Sequence, residues 1–131
     1  GLIHITSIIK GRIKMKQTTN LTEVQDILQQ SSVAVIYLSM PNCSVCHAVR
    51  PRLEELLTHY DIPALHLDAF ETPEVASKFE VLTAPVVLIF HQGKEVFRQA
   101  RFIDFKKIRY LLDELTAEDD SLSYEEIFRT K

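Results

Sequence analysis

The chain has 131 residues and a formal net charge of −3, enough for one domain with one core and without the basic excess of a nucleic-acid binder. No apolar run approaches the roughly 18 residues that a bilayer crossing needs, so no membrane partner is expected. There are only two cysteines, and they are two residues apart, which is not the spread framework of a disulfide-stapled scaffold.

Residues 1–14 are apolar, with Lys10, Arg12 and Lys14 following the apolar part. A secretory signal has the reverse order, charge first, and a small-residue cleavage site is missing. They are expected to be an extension foreign to the domain or a flexible arm, with Met15 a natural start. The alternative is an arm that adds an edge strand, given the β-branched Ile3, Ile5, Ile8 and Ile9. Without an export signal, a cytoplasmic location is the expectation, and there a lone cysteine pair is catalytic or metal-binding rather than structural.

The domain is expected over residues 15–116. Asn20 with Glu23 three residues on reads as a capping box, and Leu21, Val24, Ile27 and Leu28 recur on one helical face. Ser31 and Ser32 end that helix. Val33 to Ser39 is apolar on both alternating faces, as in a strand covered on both sides. Then comes Pro41-Asn42-Cys43-Ser44-Val45-Cys46-His47. From the pair onward Val45, Val49, Leu53, Leu56, Leu57 and Tyr60 keep helical spacing, with Pro51 predicting a kink.

Asp61-Ile62-Pro63 breaks the helix, and Ala64 to Asp68 alternates as a short strand. Thr72 is placed to cap a helix with Pro73 at its first position and Val75, Ala76 and Phe79 on its buried face. Thr83-Ala84-Pro85 leads into a second doubly buried strand, Val86 to Phe90. A turn at Gly93 returns the chain over residues 95–100 as a hairpin. Asp104 caps a last helix with Phe105, Ile108, Leu111, Leu112 and Leu115 as its apolar stripe. Residues 117–131 read as an acidic C-terminal tail, partly helical if Tyr124 to Phe128 makes one docked helical turn, or else frayed. The order α, β, α, β, α, β, β, α predicts an α/β fold: a central mixed β-sheet with helices on both faces.

A cysteine pair between a buried strand and a helix is suited to dithiol chemistry. Cys43 near a helix N-terminus meets unpaired N–H groups that stabilise a thiolate, the form that attacks disulfides. The bland alternative is two core cysteines that happen to be neighbours. Two further readings of the pair are weaker. His47 completes a haem-attachment string, but one embedded in an α/β pattern. A zinc site would need two of His59, His66 and His91, whose spacings fit no common zinc pattern. Those histidines are expected at the surface or on strand edges, and Phe97, Phe102, Phe105 and Tyr110 in or beside the core. Arg98, Arg101, Lys106, Lys107 and Arg109 read as a solvated face rather than a binding patch.

Over residues 20–116 the chain resembles the thioredoxin family. Cys43 and Cys46 sit at a strand-to-helix junction, Pro51 follows five residues later, Thr83-Ala84-Pro85 opens the next long strand, and Gly93 sits in the hairpin turn. The resemblance implies a thioredoxin fold and a thiol–disulfide oxidoreductase without cofactor or metal. It implies Cys43 as exposed nucleophile, Cys46 as buried resolving thiol, and Ala84 with a cis Pro85 as the substrate-side loop, with Asn42 beside it. Its partners would be protein or low-molecular-weight disulfides and a recycling reductase. Four positions depart from ordinary thioredoxins. Asn42 replaces a tryptophan, Ser44-Val45 replaces Gly-Pro, Tyr37 stands at a buried aspartate, and Ala64 stands near its lysine partner. These departures motivate a second expectation, a binding or adaptor module on the same fold with weak redox activity.

Overall fold

The computed structural model describes residues 15–129, with side chains through Ala117. The segment before Met15, read above as an extension or an added strand, lies outside the described residues. Five strands form one sheet: β1 Lys16–Gln17, β2 Val33–Ser39, β3 Ala64–Asp68, β4 Val86–His91 and β5 Lys94–Ala100. Among the described residues four helices connect or flank them: α1 Leu21–Gln30, α2 Ser44–Leu57, α3 Pro73–Lys78 and α4 Phe105–Arg129. The sheet order is β1-β3-β2-β4-β5. β1 and β2 run parallel to β3, while β4 pairs antiparallel with both β2 and β5. This is the mixed sheet with helices on both faces that the element order implies.

The period-2 geometry of the strands divides the core into two layers. Val33, Val35, Tyr37, Val87 and Ile89 point to one face and pack with Leu53 and Leu57 of α2 and Ile108 and Leu112 of α4. Ala34, Ile36, Leu38, Leu88 and Phe90 point to the other and pack with Val24 and Leu28 of α1 and Val75 of α3. β2 and β4 are buried on both faces, which explains why their sequences lack alternation.

Several expectations change. Lys16–Gln17 is a strand absent from the sequence reading, because two exposed polar residues carry no strand pattern. Met15 just before it is buried in the α2 face of the core. Asn20 caps α1, accepting from Glu23 N–H at 3.2 Å. The reciprocal half of the box is not made: Asn20 N–H donates to Thr18 Oγ1, and Glu23 pairs with Lys16 at 2.9 Å. Thr72 does not cap α3; its hydroxyl donates back to the Asp68 carbonyl. Tyr60 lies beyond the end of α2 and donates its hydroxyl to Asp113 at 2.5 Å. The backbone of α4 continues as helix to Arg129, through the segment read as a tail. Phe102 and Tyr110 are exposed, not core, while Phe97 and Phe105 pack partly buried against the core. Arg98, read as a solvated face, donates to the Phe79 and Glu80 carbonyls at the end of α3 and pairs with Glu95.

Candidate active site

The turn that follows β2 carries the cysteines. Asn42 adopts φ +59°, a left-handed conformation that asparagine tolerates better than most residues. It turns the chain so that Cys43, still extended at φ −103° and ψ 100°, becomes the N-cap of α2. The Cys43 sulfur accepts the Cys46 backbone N–H at 3.2 Å, in the way a serine or aspartate oxygen caps a helix. Cys43 and Cys46 are joined by a disulfide, with Cα atoms 5.2 Å apart. Their environments differ: Cys46 is only 4 % exposed, whereas Cys43 is half-buried. Pro51 lies inside α2, one turn beyond, and removes one helical hydrogen bond there.

The register brings the second segment alongside. Leu38 pairs with Val86, so the start of β4 lies beside the end of β2 from which the cysteine turn springs. The Ala84–Pro85 peptide is cis and immediately precedes that start. Pro85 is buried and its carbonyl accepts the Arg101 N–H at 2.8 Å. Ala84 is half-buried and Asn42 exposed. Around this end of the sheet Val45 is half-exposed, and Leu82 and Phe102 stand 95 % and 90 % exposed.

Behind the cysteine turn the sequence placed Tyr37 in a buried strand but showed neither its partner nor its neighbours. Tyr37, fully buried, donates its hydroxyl to the Cys46 carbonyl at 2.8 Å. Burial pushes its pKa up to about 12, with Glu54 adding and Arg50 opposing, so it stays a hydrogen-bond donor through the physiological range. Its ring packs on His66, centroids 5.1 Å apart. His66 was expected at the surface or an edge; it is 9 % exposed, because β1 adds a strand outside β3 and covers it. Its ring nitrogens meet Ser39 Oγ at 2.7 Å and Gln17 Nε2 at 3.3 Å. One neutral tautomer satisfies both, with Nδ1 accepting from Gln17 and Nε2–H donating to Ser39. Burial lowers the His66 pKa and Arg50 lowers it further, against Glu54 and Asp68. A signal for the tyrosine existed: a hydroxyl in a doubly buried strand must find a partner.

The other candidate ligands do not converge on the sulfurs. His91 ends β4 at its far end, opposite Val33, and His59 follows the C-terminal end of α2. Among the described residues no three His, Cys, Asp or Glu side chains gather as a metal site. No helix among them is long and apolar enough to cross a membrane.

A mixed sheet between two helical layers, with a Cys-x-x-Cys disulfide capping a helix beside a cis-proline loop, defines a thiol–disulfide redox domain. Comparison with known proteins makes the family explicit. The thioredoxin family model matches residues 14–114, so the chain belongs to the thioredoxin family. It is 38 % identical over 102 residues to the thioredoxin-like protein YdfQ of Bacillus subtilis, covering 75 % of this chain and 91 % of that one. Thioredoxin of Staphylococcus haemolyticus is 35 % identical over 86 residues, covering 64 % of this chain and 83 % of its own. Among solved structures, a point mutant of thioredoxin from Halobacterium salinarum superposes with a TM-score of 0.73 at 21 % identity, over 80 % of this chain and 93 % of that one. The family and the cysteine pair make the protein a thiol–disulfide oxidoreductase. Protein disulfides as substrates and reductases as partners are general to that family.

Proposed function

We propose that Cys43 is the attacking nucleophile and Cys46 the resolving thiol in the reduction of disulfides in proteins or small thiol compounds. The observation that carries this is the asymmetry of the pair. Cys43 is the less buried residue of the two, with an N–H donor of the first helical turn on its sulfur, and Cys46 is 4 % exposed. In the dithiol form the Cys43 thiolate attacks a substrate disulfide and releases one substrate sulfur as thiolate. Cys46, deprotonated, then attacks the Cys43 sulfur of the mixed disulfide and releases the other. Two electrons pass to the substrate and the Cys43–Cys46 disulfide forms. Ala84, Pro85 and Asn42 form the substrate side of the site, with the Thr83–Pro85 backbone offered to an extended substrate segment. A dithiol reductase, or another thiol, returns the protein to the reduced form. The cytoplasm, where thiols are kept reduced, suits that cycle.

The test is insulin reduction combined with trapping. Cys43→Ser is expected to abolish turnover and to trap nothing. Cys46→Ser is expected to accumulate mixed disulfides through Cys43. Turnover that survives Cys43→Ser, or trapping through Cys46 instead, removes the assignment.

A further inference from the structure

We infer that Tyr37 is a positioning residue for the Cys43 thiolate, acting through the backbone of Cys46. This rests on the assignment of Cys43 as nucleophile and adds a residue to it.

The geometry is a short relay of hydrogen bonds. Tyr37 Oη donates to the Cys46 carbonyl at 2.8 Å, and the Cys46 N–H donates to Cys43 Sγ at 3.2 Å. Residue 46 is therefore held at two points, by the sheet on one side and against the nucleophilic sulfur on the other. A helical carbonyl at this position already takes the N–H four residues on, so the tyrosine bond is an addition that the helix does not need for itself. What it adds is a link from the first turn of α2 to a central strand. The tyrosine in turn does not swing freely. It is fully buried, and its ring lies against His66, which Ser39 and Gln17 hold at 2.7 Å and 3.3 Å. Three adjacent strands thus brace residue 46, whose N–H points at Cys43 and whose carbonyl takes the tyrosine bond.

The brace matters unequally in the two redox forms. A disulfide sulfur is a weak, neutral acceptor. When the disulfide is reduced and Cys43 becomes a thiolate, the same N–H makes a charge-assisted hydrogen bond, about twice as strong as a neutral one. A donor already aimed at the sulfur stabilises the thiolate without reorganisation. Loosening residue 46 therefore weakens the reduced form more than the disulfide.

The experiment uses the full chain and Tyr37→Phe, which keeps the ring and removes the hydroxyl. Arg50, Glu54 and His66, the charged and titratable groups around Tyr37 from α2 and β3, are retained, as is Asp68 beside His66. The first readout is the equilibrium in which the protein disulfide and two glutathione thiols give the protein dithiol and glutathione disulfide. Tyr37→Phe is expected to shift it about two- to tenfold towards the protein disulfide, the range of one modest hydrogen bond. The second readout is alkylation of Cys43 by iodoacetamide at pH 7 in a Cys46→Ser background, expected to slow by a similar factor. Unchanged values for both overturn the inference while leaving Cys43 as nucleophile. Alkylation that fails at Cys43 in the protein with Tyr37 intact overturns the nucleophile assignment itself. If Tyr37→Phe does not fold, difluorotyrosine at position 37, a stronger donor of nearly the same size, must shift the glutathione equilibrium towards the dithiol; no shift overturns the inference.

Discussion

Protonation of His66 is expected to destabilise the fold as pH falls through the mildly acidic range. The ring is 9 % exposed beneath β1, and its neutral tautomer satisfies both Ser39 and Gln17. An imidazolium there carries two N–H donors, so Gln17 must turn its amide, and the charge is partly desolvated and near Arg50, with Glu54 and Asp68 offsetting only part of the cost. The folded protein therefore binds the proton less well than the unfolded chain, whose histidine has the ordinary value of 6.5. The sign follows from linkage. The lowered pKa gives stability that is fully present above 6.5 and is lost as pH falls towards the folded-state value.

The magnitude has an upper bound. One proton taken up only by the unfolded chain costs at most about 1.4 kcal/mol per pH unit. Between pH 7.5 and 5.5 the loss through His66 is therefore at most about 1.4 kcal/mol, since the unfolded histidine is mostly neutral over the first unit. With a urea m-value of about 1–3 kcal/mol/M, the midpoint falls by at most roughly 0.5 M at the steep end of that range and 1.4 M at the shallow end. The assay is urea unfolding at the two pH values for the unaltered protein and for His66→Gln, which keeps hydrogen-bonding capacity without titrating. The variant is expected to be less stable at pH 7.5 but to lose less on acidification. A variant with the same pH dependence as the unaltered protein would refute the assignment of the proton to His66.

Two further outcomes bear on the scaffold. Asn20→Ala leaves the Glu23 N–H without its cap and is expected to lower stability by about 1 kcal/mol, read from chemical denaturation. Leu53→Ala removes a fully buried side chain between α2 and the sheet and is expected to cost about 2–5 kcal/mol by the same measurement; a loss under half of that range would mean that α2 closes over the gap.

The fold was largely legible because its long elements carry strong periodic signals. β2 and β4 are continuous apolar runs, and α1, α2 and α4 carry amphipathic stripes. Where the sequence reading fell short, the cause was a local signal that a tertiary contact redirected. Thr72 has the chemistry of a cap, but the carbonyl at the end of β3 lies within reach of its hydroxyl. Phe102 has the chemistry of a core residue, but it follows Arg101, whose left-handed φ of +71° turns the chain at the end of β5. In the hairpin Gly93 alone carried the signal for positive φ, yet Gln92 also adopts φ +52°, as the tight two-residue turn between paired His91 and Lys94 requires.

The sequence alone determined which atoms could do redox chemistry: two sulfurs, their spacing, and the strand and helix on either side, all set by contacts near in the chain. The tertiary structure decided their surroundings. Pairing of Leu38 with Val86 set the Ala84–Pro85 loop at the end of the sheet where the cysteines lie. Parallel pairing of β1, β3 and β2 set Gln17, His66 and Tyr37 side by side, three residues from distant parts of the chain. The sequence placed the tyrosine in a buried strand but not its partners, and for the histidine it showed neither burial nor partners. Their roles exist only once strand register has put a hydroxyl against a carbonyl and a ring against a ring.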